Sequence, residues 1–190
     1  MKMKKIKKKP INYIDKPVFL EAMRQHKEKV KQYEIDRVEN PDLLAPMVSN
    51  YIGDCLLKIA KGISSRPNFS RYPFREEMEG DGIQNCLQYI NNFDPALSNN
   101  PFGYFSKIIW FAFLRRIEKE HTNLYTKYKM IQNNTAQVVD GVDGAIELGM
   151  MSDHSEYSQD YMSEFIINYE RKRDEKRAKT KLAAQKKNAV

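Results

Sequence analysis

An all-α protein is expected from three features of this sequence. Apolar residues recur at helical spacing in four separate stretches. No stretch alternates apolar and polar residues as a half-buried strand would, and clusters of Pro, Gly and Asn separate the periodic stretches. The expected architecture is a compact helical bundle with extended basic tails. The 190 residues suffice for one domain with a core of its own.

The first helix is predicted over about 17–38. After Pro17, Phe19, Met23, His26, Val30 and Tyr33 fall on one side at i, i+4 and i+7 steps. Asn40-Pro41-Asp42 breaks the chain. The strongest periodicity follows over about 42–64, from Leu43, Leu44, Met47 and Val48 through Ile52, Leu56 and Ile59 to Ile63. Its wide stripe predicts a central helix, ended by the segment 62–67. A third helix is expected over about 75–92, with Ile83, Cys86, Leu87 and Ile90 on its core side. Its early turns carry Glu76, Glu77, Glu79 and Asp81, which also suit a helix N-terminus electrostatically. Gly80 and Gly82 interrupt it, each at a cost of about 1 kcal/mol relative to Ala. Close approach of another surface would account for such glycines.

Asn99-Asn100-Pro101 is a helix start, with an Asn cap and Pro at the first helical position. The helix expected from it, about 101–120 with a continuation toward 132, is apolar nearly all the way round. Such a helix is either buried in the core or offers a second apolar face to a partner. Residues 133–160, rich in Asn, Asp, Gly and Ser, read as a polar linker. An apolar-acidic cluster from Tyr161 to Tyr169 then runs into a basic end. The chain thus divides into a basic N-terminal tail (1–16), a helical domain (17–132), the linker (133–160), and an apolar-acidic segment followed by a basic tail (161–190).

Charge is distributed unevenly. The net charge is +7, yet residues 1–9 alone carry six lysines and no acid, and residues 171–190 carry nine Lys or Arg against two acids. The body between them is therefore acidic by about six charges, which predicts weak DNA binding by the body itself. The tails suit polyanions without sequence preference, or are simply solvated extensions.

Several classes are excluded or disfavoured. No apolar run is long enough to span a bilayer, and no apolar segment follows the basic N-terminus as in a secretory signal. Cys55 and Cys86 sit inside apolar periodic stretches and read as buried thiols rather than a disulfide. The three histidines are scattered, and there is no phosphate loop, dinucleotide fingerprint or nucleophile elbow. No enzyme, metal or cofactor is expected. What remains is a binding constellation: an aromatic-rich helix passing directly into Arg115, Arg116 and Lys119. Single-stranded nucleic acid needs that combination, because bases stack on flat or apolar side chains while cations hold the backbone. A central core helix with a basic last turn has the same pattern.

The segment from Leu56 to Glu120, about a third of the chain, resembles the conserved second region of bacterial sigma factors. It is more narrowly similar to the late-transcription sigma factors of T4-type bacteriophages. The resemblance is carried by Asn68-Phe69-Ser70, Asp81-Gly82-Ile83, Asn92-Phe93-Asp94, Asn100-Pro101 and the aromatic helix ending Arg116-Ile117-Glu118-Lys119-Glu120, in that order. It implies a non-enzymatic initiation factor that binds core RNA polymerase and melts a −10-type late promoter element. Glu77 and Asp81 then correspond to the face that docks on the clamp coiled coil of the largest polymerase subunit. Phe105 corresponds to the aromatic that stacks on a flipped base, with Ile108 and Ile109 beside it and Arg115, Arg116 and Lys119 toward DNA. Trp110, Phe113, Leu114 and Ile117 are implied to face the core. Two departures matter: isoleucines stand where housekeeping relatives carry a tryptophan pair, and no helix-turn-helix follows residue 130. Relatives of this kind use a co-activator and a sliding clamp, for which Phe165, Ile166 and Tyr169 are the nearest candidates. The implied setting is the cytoplasm of an infected host cell, with no membrane partner. The alternatives from the residues alone are a general nucleic-acid-binding helical protein and an oligomeric helical scaffold.

Overall fold

A computed structural model describes residues 14–139 and 159–188. Among these residues the protein is all-helical: α1 (Lys16–Glu39), α2 (Asn50–Ser64), α3 (Arg75–Gln88), a 3₁₀ turn (Ile90–Asn92), α4 (Pro101–Val139) and α5 (Gln159–Asn188). Residues 1–13 of the expected N-terminal tail, and 140–158 of the expected linker, lie outside the described residues. Ile14, assigned to the tail above, is instead buried against the core. The linker is also shorter than expected, because 133–139 belong to α4 and 159–160 to α5.

The helices form two compact units, one through Ile117 and one from Glu118, so the division falls inside α4 rather than after residue 132. In unit 1, Asp15 caps α1 by accepting from the Val18 amide, and Pro17 occupies its first turn. The α1 face Phe19, Met23, His26 and Val30 is buried as its spacing predicted. His26 is satisfied by Asn91 Oδ1 at 3.2 Å.

α2 starts eight residues later than the periodicity suggested. Pro46 is the reason: inside a helix it would lack a donor and clash with the carbonyl four residues back. Ser49 makes the actual cap, accepting from the Ile52 amide at 3.4 Å. Leu44 and Met47 are consequently not part of the α2 stripe; they are 88% and 89% exposed in the preceding segment. From Ile52 onward the expected stripe holds, with Ile52, Cys55, Leu56, Ile59, Ala60 and Ile63 buried.

Phe69 then links the layers. Its ring meets Trp110 at 4.8 Å and Phe113 at 5.2 Å between centroids, both edge-on. α3 buries Met78, Gly82 and Cys86. Leu87, expected on its core side, is exposed. Gly82 explains how closely α3 lies on α4: a Cβ there would stand 3.1 Å from Ile109 Cγ2 and 3.2 Å from Phe113 Cε1. Gly80 has open space, so close approach accounts for only one of the two glycines.

Unit 2 pairs α4 beyond Ile117 with α5. Among the described residues Tyr128, Met162 and Ile166 are buried in it, with Leu124, Tyr125, Ile131 and Phe165 packed around them. The pairing is antiparallel. Glu118 meets Lys176, Thr122 meets the Tyr169 hydroxyl at 2.9 Å, and the Tyr128 and Phe165 rings lie 5.4 Å apart. Among the described residues no helix is long and apolar enough to cross a membrane.

Candidate functional site

The register of α4 is set at its first turn. Asn100 Oδ1 accepts from the Gly103 amide at 3.0 Å, and Pro101 is itself buried. At 3.6 residues per turn this start sends Phe105, Ile109, Ala112 and Phe113 inward, and all four are buried. The outward side then falls at Lys107, Phe111, Leu114 and Arg115, all exposed. Phe111 is 50% and Leu114 43% exposed. An aromatic ring therefore sits between two cations at i−4 and i+4, with an aliphatic side chain beside it.

This register overturns the most specific expectation from the sequence. Phe105 is completely enclosed by unit 1, its ring 5.9 Å from Phe19, 6.1 Å from Phe93 and 5.1 Å from Tyr104. It is a core residue, and so is Ile109, wedged against Gly82. Neither can meet a base while unit 1 is folded. Ile108 is partly buried at the edge of the core. Phe113 faces the core as expected, and Trp110 and Ile117 pack against it, but Leu114 faces outward instead.

The charged candidates separate as well. Arg116 grips Asp81 with two hydrogen bonds, Nε to Oδ2 at 2.7 Å and Nη2 to Oδ1 at 3.2 Å. Both partners are therefore spent on holding α3 to α4, and neither is the free docking or DNA-binding group expected. Glu79 accepts from the buried Ser64 hydroxyl, joining α3 to α2. Of the four acids on α3, only Glu76 and Glu77 are exposed. Arg115 stays exposed while donating to Asn85 Oδ1 at 2.8 Å, which orients it without neutralising it. Lys119 is exposed in unit 2.

The three sliding-clamp candidates are engaged within unit 2. Ile166 is buried, Phe165 packs on Tyr128, and Tyr169 stacks on Tyr125 at 4.5 Å. They form the seam between two helices and not a free peptide segment.

Sequence reasoning missed Lys107 and Phe111, and placed Leu114 on the wrong side. The usable signal was the cation spacing. Lys107 and Arg115 are eight residues apart, so they share one side of a helix, and Phe111 lies midway between them on that side. On a helix apolar all round, cations mark the outside better than apolar residues mark the inside.

Burial is the largest influence on both thiols. Desolvation pushes Cys86 up to about 12 and also raises Cys55. Both stay protonated and inert at neutral pH, as their apolar surroundings predicted. The Tyr104 hydroxyl is raised by the same desolvation. Among the described residues no group of three His, Cys, Asp or Glu is placed to hold a metal ion. Comparison with protein-family models found no match, and comparison with curated proteins found none either.

Proposed function

We propose that this protein is a sigma-like transcription initiation factor: it binds core RNA polymerase and recognises and melts a −10-type late promoter element. The observation that carries the proposal is the outward side of α4, where Phe111 is held half-exposed between Lys107 and Arg115. An unpaired base offers a π face, and the backbone beside it is anionic, so a ring flanked by cations matches both. Stacking of this kind contributes about 1–3 kcal/mol per base. Phe111 takes the role first assigned to Phe105, with Leu114 as an apolar neighbour. The resemblance of Leu56–Glu120 to the second sigma region supports the same partner. Glu76 and Glu77, exposed in the first turn of α3, supply the acidic side toward a basic polymerase coiled coil. A co-activator and a sliding clamp belong to the proposal only as further partners, the clamp through a surface other than the Phe165–Tyr169 seam. The place of action is the cytoplasm of the infected host cell.

The test is promoter opening with added core polymerase, read as permanganate reactivity of thymines. Phe111→Ala should reduce opening by at least about fivefold, the kinetic equivalent of the lower stacking value. Co-purification with polymerase should stay unchanged. Glu77→Lys should weaken that co-purification while the circular dichroism spectrum is kept. Normal opening by Phe111→Ala would remove the base-stacking role, and normal polymerase capture by Glu77→Lys would remove the docking face. The exposed Phe111–Leu114 pair also suits a second copy of the chain. A dimer by sedimentation that Phe111→Ala dissolves would favour an oligomeric scaffold over an initiation factor.

A further inference from the structure

Past its seam with α4, α5 continues as an exposed helix whose charges are sorted by side. At about 100° per residue, every cation of the segment 171–186 except Arg171 falls within an arc of about 220° that contains no acid. Asp174 and Glu175 lie on the remaining arc with Leu182 and Gln185, where Glu175 is paired with Arg171 at 3.2 Å. Two cations on the basic side are tied to unit 2 itself. Arg173 stands over the Tyr125 ring at 5.7 Å, and Lys176 meets Glu118 at 2.6 Å. Lys172, Arg177, Lys179, Lys181 and Lys186 have no acid partner among the described residues.

These five make two borders. Lys172, Lys179 and Lys186 repeat every seven residues along one edge of the arc, and Arg177 and Lys181 form the other edge one turn apart. Between the edges lie Arg173 and Lys176, which turn to Tyr125 and Glu118 of α4, and beyond them Thr180, Ala183 and Ala184. The Thr180 hydroxyl is already spent on the Lys176 carbonyl at 2.9 Å. From Thr180 to Ala184 the middle of the face is thus low in bulk and poor in free hydrogen-bonding groups. Among the described residues nothing apolar covers this part of the helix, and like charges a turn apart oppose it, so the pattern does not serve its stability.

We propose that this face of α5, beyond Lys176, binds duplex DNA without sequence preference, lying along the major groove with each cationic border toward one phosphate wall. The groove is about 12 Å wide and an α-helix with its side chains about 10–12 Å across. The small central residues let the helix sit deep enough for both borders to reach phosphates. Their lack of polar tips leaves no means of reading base edges, so the binding is electrostatic and falls steeply with salt. The site is distinct from the α4 surface and does not depend on polymerase.

The test uses the full chain, a labelled 20-base-pair duplex of arbitrary sequence and fluorescence anisotropy across a salt series. Two variants change net charge equally and differ only in placement. Thr180→Glu puts an acid in the middle of the basic face, while Gln185→Glu puts it on the opposite arc. Thr180→Glu should weaken binding by about fivefold or more at low salt, the scale of one added like charge near phosphates in water. Gln185→Glu should stay within about twofold of the parent. A triple variant, R177Q/K179Q/K181Q, should flatten the log–log salt slope by about 2.7, at roughly 0.9 for each phosphate no longer neutralised. Gln favours helix about as well as Lys, and circular dichroism checks that α5 persists. Equal loss in the two Glu variants would overturn the sided face. An unchanged salt slope in the triple variant would overturn α5 as the DNA-binding element. Tighter binding of single-stranded DNA or of duplex RNA would overturn the assignment to duplex DNA.

Discussion

Unit 1 and unit 2 hold their helices by different means. In unit 1, Phe19, Phe69, Phe93, Phe105 and Phe113 are all completely buried, drawn from α1, two connecting segments and α4. In unit 2 the buried residues among those described are Tyr128, Met162 and Ile166, and around them Leu124, Ile131 and Phe165 are joined by tyrosine rings with polar rims. The Tyr125 hydroxyl donates to Glu170 at 2.8 Å, and Lys129 meets the same carboxylate at 3.2 Å. A helix enclosed on several sides has its rotation set by the core. A helix with one neighbour has its rotation set by one stripe, and its other sides are left for charge. That is why α4 can be apolar nearly all round and still present only Phe111 and Leu114 outward in unit 1, while α5 can carry a run of cations.

The largest effect that would break this contrast belongs to Phe105. Phe105→Ala should cost about 3–5 kcal/mol of unit 1 stability, since the cavity lies among rings that cannot collapse onto it. Trp110 is the sole tryptophan and packs on the unit 1 core, so its fluorescence during urea unfolding reports that unit. Phe111→Ala, six residues on, should cost under about 1 kcal/mol by the same measurement. If the two variants unfold at the same urea concentration, the register of α4 is not the one described.

The contrast also explains what could be read in advance. The Asn100–Pro101 start was legible because capping chemistry is local. The start of α2 was missed because apolar periodicity runs straight through Pro46, and only the backbone chemistry of proline stops it. The inward turn of Phe105 was missed because apolar residues run nearly all round α4, and only Lys107 and Arg115 mark its outer side. The Asp81–Arg116 pair was hidden for a different reason. It joins residues 35 apart, and either charge taken alone looks like surface. In unit 2 the acid-free side of α5 was legible as composition but not as a face, because the helix itself had to be established first.

A middle-sized effect tests the α3–α4 approach. Gly82→Val should destabilise unit 1 by about 1–3 kcal/mol, because Ile109 and Phe113 leave no room beyond a Cβ. Gly80→Ala, two residues away in open space, should instead stabilise by about 0.5–1 kcal/mol through helix propensity. Opposite signs at two glycines of one helix would show packing and backbone entropy acting separately. Equal signs would remove the close approach as the reason for Gly82.

Alkaline pH gives a smaller and graded effect on the same interface. Cys86 is pushed up to about 12 by desolvation beneath the Phe105 carbonyl. In the unfolded chain it would ionise near its usual value. Between those values the unfolded state loses a proton that the folded state keeps, so stability falls as pH rises. The slope is about 1.4 kcal/mol per pH unit, absent below the ordinary thiol range. Urea titrations at pH values from about 8 to 10 should show this decline in the parent. It should be shallower by about that slope in Cys86→Ala. Parallel declines in the two proteins would mean that the thiol is not shielded.

The smallest effect is expected in unit 2, and its sign is the reverse. Glu170 is held below the usual carboxylate range, first by the hydrogen bond from Tyr125 and then by Lys129. A carboxylate with a depressed folded-state value stabilises the fold above its unfolded value, and that contribution is lost as pH falls through the depressed one. Acid should therefore loosen the α4–α5 seam through this residue, and Glu170→Gln, which keeps the shape and removes the titration, should flatten that part of the response. Amide hydrogen exchange at Tyr125, Lys129 and Glu170 is the suitable measurement, because it isolates the seam from the rest of the chain. The rim carries unit 2 in a way that it does not carry unit 1, where the enclosed rings would hold even with one ion pair removed. If the parent and Glu170→Gln show the same acid dependence at these amides, the seam rests on its apolar packing around Tyr128, Met162 and Ile166, and the two units differ in size rather than in kind.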